Sequence, residues 1–263
     1  MLRAMVEMTK YEHGVFNWVD LSAKDMTAAA AWYGELFGWA MQSQDTQGGP
    51  PYAMLTLGGK SVAGMGELSA EMQAAGVPPV WNTYVAVDDA AAVAAKVTEH
   101  GGTVVLPVMQ VMGAGSMAIF ADPEGAVFCV WQADAHIGAE RVNEPNTFSW
   151  TELMTRDIEA AQAFYGNVFG WTFKTSDVGS TPYHLIHVGD REVGGMLQMD
   201  GPQFEGMRSM FTAYFTVADI TAAVETVTKT GGTVMVPPTK IPVGTFAVVA
   251  DPQGASFTLF QET

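Results

Sequence analysis

The sequence predicts an α+β fold of four βαβββ units, paired into two modules whose curved mixed sheets surround cavities. Two observations carry this prediction: the chain repeats itself at an offset of about 130 residues, and each half contains the order strand, helix and three strands twice. The 263 residues are 48% hydrophobic and 15% charged, which is enough apolar material for a sizeable core.

The repeat is clearest at the start of each half. The segment FNWVDLSAKDMTAAAAWYGELFGW begins at Phe16, and FSWTELMTRDIEAAQAFYGNVFGW begins at Phe148. Later segments keep the register: YAMLTLGGKSVAGM matches YHLIHVGDREVGGM, and FADPEGAVFCVWQ matches VADPQGASFTLFQ. Chance similarity does not stay in register over so long a stretch, so the halves are tandem copies.

The first unit begins with an alternating segment, Val15–Leu21, which predicts a strand. Asp25 is then placed to cap a helix that ends at Gly38. Glycine pairs mark turns between further strands near 39–43, 52–57 and 60–67.

The second unit begins with WNTYVAV at Trp81, and its helix is predicted from about Asp89 to His100. Strands are expected near 103–106, 116–121 and 126–131. The second half copies both units. We therefore expect modules at 12–132 and 147–262, joined by a polar linker at 133–146.

Charge and cysteine content exclude several partners. The 28 acidic and 12 basic residues give a net charge of −16, which repels nucleic acid and anionic membranes. One cysteine cannot form an internal disulfide, and neither a signal peptide nor a long apolar run is evident. We expect a cytoplasmic monomer or homodimer with a small-molecule ligand.

These features resemble the vicinal oxygen chelate (glyoxalase/bleomycin resistance/dioxygenase) superfamily, and within it a two-module subgroup. The resemblance rests on the strand–Asp–helix–FGW run of each half, the VDD at Val87, and the DPxG turns at Asp122–Gly125 and Asp251–Gly254. It covers about residues 14 to 262. Such proteins include metal-dependent lyases, ring-cleaving dioxygenases and metal-free drug-binding proteins, so the fold alone does not define the function.

The resemblance implies metal ligands of the His, Glu or Gln type on the first and last strands of each unit. The matching positions carry none of these types; they are Trp18, Gly64 or Met65, Asn82 and Cys129 in the first half, and Trp150, Gly194 or Gly195, Thr212 and Thr258 in the second. We therefore expect no metal and no cofactor, and we interpret Cys129 as a buried structural residue.

The strand period of two predicts which side chains face each cavity. Asp20 and Glu152 are the candidate catalytic residues, as general bases with a raised pKa or as hydrogen-bonded structural anchors. The candidate ligand-binding residues are Trp18, Asn82, Tyr84, Cys129, Trp150, Thr212, Tyr214 and Thr258. Trp18 and Trp150 are either core residues or pocket walls.

Histidines give a weaker signal, because the five do not form a cluster. His184 and His187 share one strand but face opposite sides, and His136 lies in the linker. We expect His187 to be a structural residue with satisfied hydrogen bonds.

Three hypotheses for function remain open. The first is a metal-independent protein that binds a small hydrophobic or aromatic molecule. The second is a superfamily enzyme, such as a glyoxalase-like lyase or an oxygenase or hydroxylase, which uses Asp20 and Glu152 as acid–base groups or a metal at unusual positions. The third is a pseudo-enzyme that works through protein contacts, with the cavity filled by Trp18 and Trp150.

Overall fold

Two eight-stranded mixed sheets, one from each half of the chain, form the body of the structure. The computed structural model describes residues 6–178 and 181–263. The predicted α+β class with two modules is confirmed, although within these ranges neither sheet closes into a barrel. Over the same ranges, no helix combines the length and the apolar character that crossing a membrane requires.

The first module is built around two central antiparallel strands. Strand β1 (Val6–Glu7) precedes the module, whose strands are β2 (Phe16–Ala23), β3 (Ala40–Ser43), β4 (Tyr52–Leu57), β5 (Lys60–Glu67), β6 (Val80–Ala86), β7 (Thr103–Val111), β8 (Gly115–Ala121) and β9 (Val127–Ala133). The order across the sheet is β3-β4-β5-β2-β6-β9-β8-β7. Strand β2 runs antiparallel to β6, and each runs parallel to the last strand of its own unit.

Strand β7 is longer than the predicted segment 103–106, because it continues through Pro107. It forms the edge of the sheet and pairs with β8 through two register shifts. Proline lacks the N–H that a central strand must donate, but an edge strand tolerates it.

The helices of the first module are α1 (Met26–Phe37), α2 (Ala70–Ala74) and α3 (Ala90–Glu99). Asp25 caps α1 as predicted, accepting a 2.9 Å hydrogen bond from the Ala28 backbone N–H. Gly38 ends the helix in the left-handed region, at φ 73°. The five-residue α2 was not predicted, since it buries no side chain and so leaves no apolar period.

The second module repeats this plan. Its strands are β11 (Phe148–Thr155), β12 (Thr172–Val178), β13 (Thr181–Val188), β14 (Arg191–Gln198), β15 (Met210–Thr216), β16 (Thr233–Ile241), β17 (Gly244–Ala250) and β18 (Ser256–Glu262), and they follow β10 (Arg141–Val142). Helices α4 (Ile158–Phe169) and α5 (Ile220–Lys229) match α1 and α3. A 3₁₀ turn at Pro202–Phe204 lies near the position of α2.

The segment between the modules packs against the first one. Strand β10 pairs with β1, and the Asn17 side chain donates to the Ile137 carbonyl at 3.0 Å. Gly138 has φ 105°, and a Cβ there would lie 2.4 Å from the Asn17 carbonyl oxygen. The segment therefore packs closely against the first module, which its polar composition did not indicate.

Aromatic rings fill the interface between the modules in two clusters. One contains Tyr33, Phe37, Trp39, Trp81, Phe215 and Phe257, and the other contains Phe16, Phe128, Tyr165, Phe169, Trp171 and Phe211. Each cluster combines rings of both modules, so the FGW runs that repeat in the sequence serve to bury one module against the other.

The DPxG turns join the modules in the same reciprocal way. Gln253 Oε1 accepts hydrogen bonds from the backbone N–H groups of Lys24 and Asp25, at 2.8 and 2.9 Å, just before α1. At the related position, Glu124 Oε2 accepts from the Arg156 N–H at 2.9 Å, just before α4. Each module thus anchors the first helix of the other.

Candidate functional site

A buried carboxylate lies at the centre of the first module. Asp20, on β2, is 7% exposed and accepts hydrogen bonds from Asn82 Nδ2 at 2.8 Å, Tyr84 Oη at 2.7 Å and Tyr52 Oη at 3.2 Å. The register explains the cluster, because Asp20 pairs with Asn82 on one side and with Gly64 on the other. Both carboxylate oxygens therefore have donors.

Tyr52 reaches Asp20 by lying across a glycine. A Cβ on Gly64 would stand 2.0 Å from Tyr52 Oη, so only glycine leaves room for the phenol. Trp18 Nε1 donates to the same oxygen at 3.1 Å, which links indole, phenol and carboxylate in one chain. Tyr52 was missing from the predicted site, although its repetition as Tyr183 in the second half was a signal.

The second module has the same arrangement around Glu152, which is 8% exposed. Tyr183 and Tyr214 donate hydrogen bonds to its carboxylate. Trp150 Nε1 donates to Tyr183 Oη at 2.9 Å, and a Cβ on Gly195 would lie 2.0 Å from that oxygen. The two networks therefore share a buried carboxyl group, two phenols and an indole, although the acid side chains differ in length.

Burial controls protonation in both networks. It raises the pKa of Asp20 and of Glu152, while the hydrogen bonds from their tyrosines oppose the rise. Burial and the nearby carboxylate also raise the pKa of Tyr84 and Tyr214 well above 10, so the phenols stay protonated as donors. Each carboxyl group can therefore hold a proton more readily than one in water.

Cys129 lies beside this network and is buried, and Thr258 is its buried counterpart. Burial, helped by the charge of Asp20, raises the pKa of the Cys129 thiol well above its ordinary value. The thiol is therefore protonated at neutral pH and is a poor nucleophile or metal ligand.

The residues at the positions that the family resemblance assigns to metal ligands do not fit a divalent cation. Tyrosine phenols cover the glycines at Gly64 and Gly195, and the remaining positions carry indole, amide, thiol or hydroxyl groups. Among residues 6–178 and 181–263, no three His, Cys, Asp or Glu side chains are grouped closely enough to hold an ion. A single carboxylate with protonated neighbours lacks the donor set that such ions need.

The structure brings the predicted residues together on the inner face of each sheet, but with unequal exposure. Trp18 is 3% exposed, whereas Trp150 is half-buried. Thr212 and Thr258 are buried in the second module, beside a half-buried Tyr214.

Two grooves lie on the described surface, and Trp150 of the second site lines the smaller one. One, of about 520 Å³, runs between α1 and α5, and a smaller one of about 30 Å³ is lined by Tyr11, Trp150 and Arg191 among others. Neither groove is lined by Asp20 or Glu152.

The segment between the modules covers the first site. The His136 ring stands edge-on to Trp18 and to Trp131, at centroid distances of 4.6 and 5.6 Å. Trp131 Nε1 also donates to the His136 carbonyl at 2.6 Å. Burial lowers the pKa of His136, which keeps its ring neutral against the indoles.

The expectation that His187 is hydrogen-bonded was wrong. Its side chain is 3% exposed, and among the residues that the structure describes neither ring nitrogen has a hydrogen-bond partner. Its neighbour His184 faces the other side of β13, where Nδ1 lies 3.0 Å from Gln162 Nε2 on α4.

Known proteins resemble this chain over nearly its whole length. The protein CFP32 of Mycobacterium tuberculosis, which its name assigns provisionally as a glyoxylase, is 40% identical over 260 residues, covering 98% of both chains. The anthracycline biosynthesis protein DnrV of Streptomyces peucetius is 32% identical over 264 residues, covering 97% of this chain and 95% of the relative.

Solved structures share the fold at low sequence identity. The 2,3-dioxygenase LapB from Pseudomonas sp. KL28 superposes with a TM-score of 0.63 at 14% identity, covering 95% of this chain and 93% of that one. An Mn(II)-bound glyoxalase from Novosphingobium aromaticivorans gives 0.62 at 19% identity, with 95% and 82% covered. At these identities the likeness concerns the fold alone.

The family model for these proteins matches the chain twice, at residues 15–130 and 147–259, which correspond to the two sheets. Together the two matches and the full-length relatives lead to one conclusion: the chain belongs to the Glyoxalase/Bleomycin resistance protein/Dioxygenase superfamily.

Proposed function

We propose that this protein binds a small aromatic molecule on the inner face of its sheets, with a carboxyl–phenol network as the polar anchor and without a divalent ion. One observation carries the proposal: in each module a buried carboxyl group accepts hydrogen bonds from two tyrosines, one of which lies over a glycine, as Tyr52 does over Gly64. Aromatic walls with a few placed polar groups are the usual make-up of a small-molecule site.

The relatives favour an aromatic ligand. The name of DnrV places that protein in anthracycline biosynthesis, whose products contain fused aromatic rings, and it matches this chain over both modules. Trp150, Tyr183 and Tyr214 offer ring faces and edges that suit such a molecule, and all three are half-buried.

Binding of 2-hydroxyanthraquinone to the intact chain tests the proposal. This probe has fused rings and one phenol that does not chelate metals. We expect saturable binding to EDTA-treated protein, and a loss of at least tenfold in affinity in Tyr214→Phe, because the anchor loses a donor to Glu152. Thr175→Ala, an exposed change on β12, is the control. Absence of saturable binding would refute the proposal for fused aromatic ligands.

A second function at the same site is proton transfer, favoured by the raised pKa of Asp20 and Glu152. A carboxyl group whose pKa is shifted toward neutrality can act as a general base or acid. The name of CFP32 suggests the hemithioacetal of methylglyoxal and glutathione as a substrate to try. If EDTA-treated protein turns it over, Asp20→Asn with Glu152→Gln should abolish turnover; unchanged turnover would exclude this mechanism.

A further inference from the structure

His187 differs from its counterpart in the first module in a way that the fold does not explain. The counterpart, Thr56, is buried and its hydroxyl donates to the Ala40 carbonyl at 3.3 Å. His187 is equally buried, yet both ring nitrogens lack partners within the described chain. A buried polar group without a partner is costly, so a ligand group that pairs with this ring would relieve that cost.

The strand register directs His187 to the inner face of the second module. Pairing between β12 and β13 is continuous from Tyr183 to His187, and the register shift against β14 between Ile186 and His187 places the extra residue, Val193, on β14. Because β13 itself is uninterrupted, residues two apart along it share a face. Tyr183, on that face, receives the Trp150 indole hydrogen bond, whereas His184 contacts Gln162 on the helix side. His187 therefore faces the side where Tyr183 and Glu152 meet.

The sheet also fixes how far His187 lies from Glu152. Leu185 pairs with Gly195, and Gly195 pairs with Glu152, so these three form one row across the sheet. His187 is one pleat further along β13. Two strand spacings and two residues of rise place the Cα atoms of His187 and Glu152 about 12 Å apart, a distance that a fused aromatic molecule can span.

We infer that His187 is a ligand-binding residue which makes the second module the binding site for a hydroxyl-bearing aromatic molecule. A neutral imidazole has one donor and one acceptor nitrogen, and a phenol can donate to the acceptor. The inference rests on the proposed function and deepens it. In the first module the His136 ring already packs against Trp18, which also favours the second module as the binding site.

Both ring nitrogens are shielded from solvent in the ligand-free chain, so a ligand reaches them by displacing the side chains over them. A histidine kept only for stability would behave differently. Because its hydrogen-bonding groups are unmet, replacing it with leucine of similar size should not lower the stability of the ligand-free chain.

Titration of the intact chain with 2-hydroxyanthraquinone and with its methyl ether, 2-methoxyanthraquinone, tests this inference. We expect the wild type to prefer the hydroxyl probe and to bind one molecule per chain. His187→Leu should lose at least tenfold in affinity for the hydroxyl probe while its affinity for the ether and its urea midpoint are unchanged or higher. His187→Gln should lose less, because the amide oxygen still accepts. Thr56→Val, in the first module, should leave both affinities unchanged.

Each failure has its own meaning. Unchanged preference for the hydroxyl probe in His187→Leu would overturn the role of His187 and leave the proposed aromatic site standing. Loss of urea stability together with equal loss of both probes would show that the histidine is structural, and would also overturn the inference. Absence of binding of either probe to the wild type would refute the proposed function for these ligands and the inference with it.

Discussion

Tyr33 and Asp251 lie 218 residues apart in the chain and are joined by a buried hydrogen bond of 3.1 Å between Tyr33 Oη and Asp251 Oδ2. Tyr165 and Asp122 form the related bond at 3.0 Å in the opposite direction between the modules. In each half, therefore, a tyrosine of the first helix donates a hydrogen bond to the DPxG aspartate of the other half.

Removing the Tyr33 hydroxyl should cost more stability than removing that of Tyr165. Tyr33 Oη also accepts from Trp81 Nε1 at 3.0 Å, whereas the position related to Trp81 holds Phe211, which has no N–H. Tyr33→Phe therefore leaves two buried groups unmatched and Tyr165→Phe leaves one. We expect losses of about 1–3 kcal/mol each, with the larger for Tyr33→Phe, in urea unfolding. Equal losses would contradict this account.

Gly64 should be intolerant of a single methyl group. Alanine there would place its Cβ 2.0 Å from Tyr52 Oη and push the phenol away from Asp20. We expect Gly64→Ala to lower the free energy of unfolding by about 1–3 kcal/mol. Gly66→Ala is the control, because its Cβ would lie 3.5 Å from the nearest Tyr52 atom.

A double variant shows whether the clash is the cause. Tyr52→Ala removes the ring that obstructs a Cβ at position 64. Gly64→Ala should therefore lower the free energy of unfolding less in the Tyr52→Ala protein than in the wild type. Strictly additive losses in the two backgrounds would show that Gly64 is needed for another reason.

Asp20 should make stability depend on pH. Its pKa is raised above the ordinary 3.8 by burial, so the folded chain holds this proton more tightly than the unfolded chain. The stability that Asp20 contributes is complete below the unfolded pKa and is lost as the pH rises through the raised folded pKa. Relative to Asp20→Asn, the wild type should therefore lose free energy of unfolding from about pH 4 upward.

Urea unfolding of both proteins across pH 4 to 7 measures this difference, and Asp88→Asn, an exposed aspartate, controls for the loss of one charge. We expect the free energy of unfolding of the wild type minus that of Asp20→Asn to fall as the pH rises. If this difference does not fall, burial does not disfavour the ionised form of Asp20.

The fold was predictable because the repeat and the strand period are local signals that survive in the sequence. Asp25 and Gly38 marked the ends of a helix, and the alternation along β2 placed Trp18 and Asp20 on one face. By contrast, the packing of the 133–146 segment depends on a close contact between Gly138 and Asn17, which no local pattern encodes.

The candidate site was predictable only in part. The carboxylates stood out inside apolar strands, but Tyr52 and Tyr183 lie two strands away and reach them across a glycine on the strand between. His187 illustrates the opposite case, since sequence position suggested a satisfied core residue and only three-dimensional surroundings reveal its missing partners.

The dependence of aromatic binding on a metal tests the central claim most directly. The measurement is the affinity of the intact, EDTA-treated chain for 2-hydroxyanthraquinone, repeated with Mn²⁺ added. Because the proposed anchor consists of phenols and carboxyl groups and not of metal ligands, we predict saturable binding with the same affinity in both conditions. Binding that appears only with Mn²⁺, or that strengthens tenfold on its addition, would contradict the account.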